Sequence, residues 1–145
     1  MSDEERIREV LSQFIQLRDD KRFDDWVDLF TEDGTFAYLS NTLVGRAAIK
    51  AHVEVLLQAD KGKHLCVNSI IRIHGDEADA VSDFVKLEPD EASIAAKATG
   101  GVHVAATGRY HDRLVRRGSA WKLAARQVTI AGFGEPSPGV PGRSR

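Results

Sequence analysis

A single cysteine in the whole chain leaves no partner for an intramolecular disulfide and too few thiolates for a multi-cysteine zinc site. Cys66 is therefore expected as an ordinary buried thiol in a reducing compartment. Long apolar runs are also missing: none approaches the roughly 20 residues that a bilayer-spanning helix requires. The opening stretch Met1-Ser2-Asp3-Glu4-Glu5 is acidic where a signal peptide would be basic, so a cytoplasmic protein without a membrane partner is the expectation. Neither sign of charge is gathered into a block. Twenty Lys and Arg stand against 22 Asp and Glu, and such a balanced, dispersed set argues against nucleic acid as a partner. No His-x-His or His-Glu-x-x-His pattern occurs, and no metal site is predicted. The glycines of Thr99-Gly100-Gly101 and Gly132-Phe133-Gly134 do not form a strand-to-helix phosphate loop, so the chemistry is expected to need no cofactor.

What the chain does contain is 42% hydrophobic residues over 145 positions, enough to fill one core. Ser2 and Glu5 are spaced as a capping box, and Ile7, Val10, Leu11, Phe14 and Ile15 follow at helical intervals. Asp19-Asp20 interrupts that stripe. Phe23, Trp26, Val27, Leu29 and Phe30 then predict a second short helix, closed by the turn signal Asp33-Gly34. A short strand is expected over 35–39, a polar loop over 40–44, and a third helix from Gly45-Arg46 carrying Ile49, Val53, Leu56 and Leu57 on one face.

Residues 64–73, 78–86, 101–116 and 120–130 predict long strands, separated by the turn material Gly75-Asp76, Glu88-Pro89-Asp90 and Arg117-Gly118-Ser119. Helices first and strands afterwards define an α+β class. The expected shape is a cone-shaped α+β barrel, with a curved, mostly antiparallel sheet against three N-terminal helices and its other face closing around a cavity. Residues 1–131 form this domain, and 132–145 are expected as a flexible Gly/Pro-rich tail.

The order and spacing of several pieces resemble SnoaL-like proteins of the nuclear transport factor 2-like superfamily. They are Asp19, Trp26, Leu29-Phe30 and Glu32-Asp33-Gly34, then Gly45-Arg46-Ala47-Ala48-Ile49, Lys63-His64 with Asn68, Gly108-Arg109-Tyr110-His111-Asp112, and Trp121-Lys122 with Arg126. That superfamily includes scytalone dehydratase, hexachlorocyclohexane dehydrochlorinase, bile acid dehydratase, ketosteroid isomerase, polyketide cyclases and members that catalyse nothing. The fold by itself names no reaction.

The dehydratase and dehydrochlorinase branch carries an aspartate at the end of its first helix and a histidine early in a long strand, and the resemblance places these roles on Asp19 and His64. A neutral imidazole can take a proton near pH 7, and a carboxylate on its other nitrogen fixes the tautomer. From the residues alone, Asp19 or its neighbour Asp20 reads as the N-cap of the second helix. With the resemblance, Asp19 goes to the dyad and Asp20 to the cap. Strict alternation puts His64 on one face with Cys66, Asn68 and Ile70, opposite Leu65, Val67, Ile71 and Ile73.

The dehydrochlorinase also implies a charge-steadying arginine at Arg126, for which an ion pair with Asp112 or Asp83 is the competing role. Tyr38, Asn68 and His103 are the candidate substrate-binding residues, and Tyr110 is expected in the sheet with its hydroxyl as a polar handle. Two departures matter. The stretch Phe14-Ile15-Gln16 lacks the lysine credited to the dehydrochlorinase, and the strand over 35–39 lacks the acid a ketosteroid isomerase needs. The resemblance thus implies a cofactor-independent lyase or isomerase, dehydratase-like, acting on a small, largely apolar cyclic or polyketide-like substrate. A non-catalytic binding protein and the small subunit of an aromatic-ring dioxygenase are the alternatives, and a homodimer or homotrimer is the expected assembly.

Overall fold

The computed structural model describes residues 1–95 and 101–131. The expected tail over 132–145 lies outside them. Helix α1 (Asp3–Asp19) begins at the capping box: the Ser2 amide donates to Glu5 Oε2 at 2.6 Å, and the Glu5 amide donates to Ser2 Oγ at 3.2 Å. Its buried stripe, Ile7, Val10, Leu11, Phe14 and Ile15, continues to Arg18. After α2 (Phe23–Val27) come β1 (Phe30–Tyr38), β2 (Asn41–Val44), α3 (Arg46–Leu57), β3 (Lys63–His74), β4 (Glu77–Pro89), α4 (Glu91–Ala95), β5 (Val102–Arg117) and β6 (Ala120–Ala131). Among the described residues no helix is long and apolar enough to cross a membrane.

The six strands form one curved, unclosed sheet in the order β2-β1-β6-β5-β4-β3. Every pairing is antiparallel except β1 with β6, which the chain makes by crossing the sheet. The helices pack on the concave face around Phe14, Trp26, Phe30 and Phe36, whose rings meet in tilted, edge-on and stacked pairs 5.1–6.4 Å apart.

Three expectations are corrected here. Asp33-Gly34 is no turn but an irregularity within β1, where the pairing to β6 shifts. A Cβ on Gly34 would stand 3.0 Å from the Thr31 carbonyl and 3.1 Å from that of Leu123, so only glycine lets β1 pass so close. Asp20 does not cap α2. It ends α1, while Arg22 holds the N-cap position of α2 without a side-chain bond. The expected loop over 40–44 contains the edge strand β2.

Candidate functional site

The concave face is set by two bulges that strict alternation does not anticipate. In β3 the pairing to β4 slips between Val67 and Ile70, and Asn68 takes a left-handed φ of 53°, a conformation asparagine tolerates better than most residues. The extra residue flips the strand's faces. His64, Cys66, Ser69 and Ile71 look inward, with Ser69 Oγ bonded to the buried Ser82 Oγ at 2.8 Å, whereas Leu65, Val67 and Ile70 look outward. In β6 the partners Leu114↔Leu123 and Arg113↔Ala125 leave Ala124 unpaired. Strict alternation would put Trp121 and Leu123 opposite Arg126 and Val128; with the bulge, all four are buried.

Asp19, the last residue of α1, reaches β3 with both oxygens. Oδ1 lies 2.7 Å from His64 Nδ1, and Oδ2 accepts the His64 backbone N–H at 2.9 Å. Both side chains are nearly buried, at 5% and 10% exposure. An ionised carboxylate can only accept, so Nδ1 carries the hydrogen and Nε2 keeps its lone pair. Burial pushes the imidazole pKa below its ordinary value. The Asp19 bond pulls it back up in part, and the nearby Arg18 and Lys86 charges press it down again. The ring is thus neutral near pH 7, the form that can accept a proton.

His64 lines a cavity of about 140 Å³ between α3, the end of α1 and the concave face. This is room for about one six-membered ring, since an engineered cavity of roughly 150 Å³ admits benzene. Its walls are mostly apolar: Phe36, Val53, Leu57, Phe84 and Val128. Phe84 can lie flat against Tyr110, 4.6 Å between centroids, because residue 108 is glycine; a Cβ there would come within 2.6 Å of the Phe84 ring. The cavity's polar groups cluster near His64. Arg18 donates from Nη2 to the Tyr110 hydroxyl at 3.2 Å, and Lys86 Nζ sits 2.6 Å from Asp60 Oδ2 and 3.1 Å from Glu88. Burial opposes the Lys86 charge, but its two carboxylate partners more than offset this and raise its pKa.

The cavity lies on the helix side of the sheet, not on the opposite face where it was expected. Among the candidate residues, Asp19 and His64 are in contact, Tyr38 lines the cavity beside Phe36, and three others are placed elsewhere. Asn68 is turned outward by the bulge it makes, 3.5 Å from Asp83. His103 is half exposed at the far end of β5, 2.9 Å from Asp90. Arg126 is sealed in the core. Its Nε and Nη2 donate to the two Asp112 oxygens at 2.6 Å each, and its guanidinium lies 3.8 Å from the Phe14 ring centroid and 4.2 Å from that of Tyr110. It presents nothing to the cavity, and the ion pair with Asp112 is the role the geometry realises.

The sequence reading missed Arg18 and Lys86. Both carried a signal. Arg18 continues the buried series Leu11, Phe14 of α1, and Lys86 shares inward parity with Phe84 and Ser82 in β4.

The SnoaL-like domain family matches residues 1–127. The chain belongs to this family. No curated protein sequence matches it. Among solved structures it is similar to a nuclear transport factor 2-like protein with a cystatin-like fold from Novosphingobium aromaticivorans, with a TM-score of 0.77 at 24% identity over 92% of this chain and 84% of that one. A protein from the same organism described as a candidate scytalone dehydratase gives 0.75 at 19% identity, over 99% and 95% of the two chains. The beta subunit of a candidate aromatic-ring-hydroxylating dioxygenase, also from that organism, gives 0.73 at 18% identity over 89% of each chain. Likeness at these identities speaks for the SnoaL-like fold and leaves the reaction to the site itself.

Proposed function

We propose that this SnoaL-like protein is a cofactor-independent lyase or isomerase of the dehydratase kind, acting on a small, largely apolar cyclic or polyketide-like carbonyl compound. The observation that supports this is the Asp19–His64 contact at the wall of a partly enclosed, mostly apolar cavity, with Nε2 unencumbered. In this scheme Nε2 takes a proton from the carbon beside a carbonyl. The electron pair left behind forms the new double bond as the C–O bond to the neighbouring hydroxyl breaks, and the imidazolium returns its proton to the departing oxygen as water. Asp19 holds the tautomer and stabilises the imidazolium. The similarity to a candidate scytalone dehydratase agrees with this reading.

The test is a panel of cyclic β-hydroxyketones incubated with the protein in deuterated buffer, followed by proton NMR for exchange beside the carbonyl and by absorbance for the enone. At least one member is expected to exchange or dehydrate, with His64→Ala slowing it by about 10²- to 10⁴-fold. Turnover retained in His64→Ala would remove His64 as the base and end this mechanism, and none by the wild-type protein across the panel would leave a binding module in place of an enzyme.

The same proposal includes self-association. Leu65, Val67 and Ile70 of β3 and Val102 and Val104 of β5 stand exposed on the outer face of the sheet, an apolar surface unusual for a monomer. Sedimentation velocity is expected to give a dimer or trimer, and a monomer at micromolar concentration would refute it.

A further inference from the structure

Arg18 is 7% exposed, lines the cavity, and has no carboxylate within ion-pairing distance among the described residues. Its one hydrogen bond is to the neutral Tyr110 hydroxyl, and its Nε is buried with no partner at all. A guanidinium cannot shed its proton to escape burial, so the charge persists. Buried charges are ordinarily paired, because leaving one without a counter-ion costs several kcal/mol in general.

The two acids nearby do not serve. Asp19 is bonded through both oxygens to His64, Asp60 to Lys86 and the Gly62 amide, and neither pairs with Arg18. Lys86 is in turn satisfied by Asp60 and Glu88. The cavity therefore holds, at its polar end, a guanidinium with no ion-pair partner among the described residues, and mostly apolar walls elsewhere.

We infer that the natural occupant is a monocarboxylate with a compact apolar body, its carboxylate held by Arg18 and its body against Phe36, Val53, Phe84 and Val128. A single free cation matches one negative charge, and the planar fork of arginine matches a carboxylate in shape. A dianion such as a phosphate monoester would bring a second charge, and the cavity's other cation, Lys86, is already paired with Asp60 and Glu88. The bound anion would also lift the pressure that Arg18 exerts on the His64 charge, making the imidazole a stronger base once the site is filled. This inference rests on the proposed reading of the cavity as a small-molecule site, and it is independent of whether the occupant is turned over.

The test is isothermal titration of the full chain with cyclohexanecarboxylate and with cyclohexanecarboxamide, which has the same body without the charge, at about pH 7.5 where the acid is ionised. The wild-type protein is expected to bind the carboxylate at least about tenfold tighter than the amide. Arg18→Gln is expected to abolish this preference and Arg18→Lys to keep part of it. Equal affinities, absence of binding by either compound, or a preference that survives Arg18→Gln would overturn the inference. The wild-type comparison stands even if a variant fails to fold. A carboxylate preference without any proton exchange would remove the catalytic reading alone; exchange without the preference would remove this inference alone.

Discussion

Two carboxylates in this molecule grip a nitrogen-bearing partner across elements at nearly the same distance, and they do opposite things. Asp112 holds Arg126 at 2.6 Å with both side chains wholly buried, the guanidinium lying against the Phe14 and Tyr110 rings. Asp19 holds His64 at 2.7 Å at the wall of a cavity, with one ring nitrogen unengaged. In the first pair every strong donor but Nη1 is used and the charge is permanent, so the pair can only brace the core. The second pair contains a group able to change its protonation near neutral pH and leaves that group an open side. The distance of a bond says little about its role; what the partner can still do with its remaining atoms says more.

The sharpest way to break the comparison is Asp112→Ala, which strands a buried guanidinium. Unfolding in urea should show a loss of about 3–5 kcal/mol, while a joint replacement of Arg126 by Met and Asp112 by Leu should recover most of it. A loss under 1 kcal/mol in the single variant would mean that water reaches the pair. Next in size is Asp19→Asn. This change is expected to lower proton-transfer activity by about 10²-fold or more while costing only about 1 kcal/mol of stability, because the amide can still accept one hydrogen bond but no longer enforces the tautomer. Equal effects on activity and stability would make Asp19 a brace like Asp112.

The smallest effect is one of pH. The native His64 pKa lies below the ordinary value of about 6.5, so between the two the unfolded chain binds more protons than the folded one. Its contribution to stability is present above pH 6.5 and is lost as pH falls through the native value. An NMR titration of the His64 ring should have its midpoint below 6.5, with the acid limb of activity following it; a midpoint above 6.5 would reverse the sign.

Where one physical signal dominated, the sequence was readable. The capping box fixed the start of α1, and long alternation exposed β3 to β6 to within a few residues. Strand β2 was hidden because its residues are mostly exposed and show no alternation. The start of β1 was hidden because Leu29 and Phe30 also suit the helical spacing of the preceding residues. Facing was the harder matter. One extra residue at Asn68 and one at Ala124 reverse every side chain beyond them, and neither bulge announces itself in composition. Hence Asn68 was expected inside and lies outside, and simple alternation in β6 would set Trp121 and Leu123 opposite Arg126, where the bulge at Ala124 puts them beside it. His64 escaped this error because it precedes the bulge in its strand. Arg18 went unnoticed because a charged residue on an apolar stripe is easily taken for its edge, although its spacing from Leu11 and Phe14 puts it in line with them.

The double grip of Asp19 makes the proton acceptor hostage to the length of one helix. Each residue added to or removed from α1 turns its end by about 100° and moves it about 1.5 Å. A single-residue indel there would swing the acid away from β3 altogether, while a change of the same size in the connection after Tyr38 would leave it untouched. Anyone reshaping this pocket for a different molecule should therefore vary that connection and the walls contributed by α3, and treat the opening helix as a ruler that must not be cut.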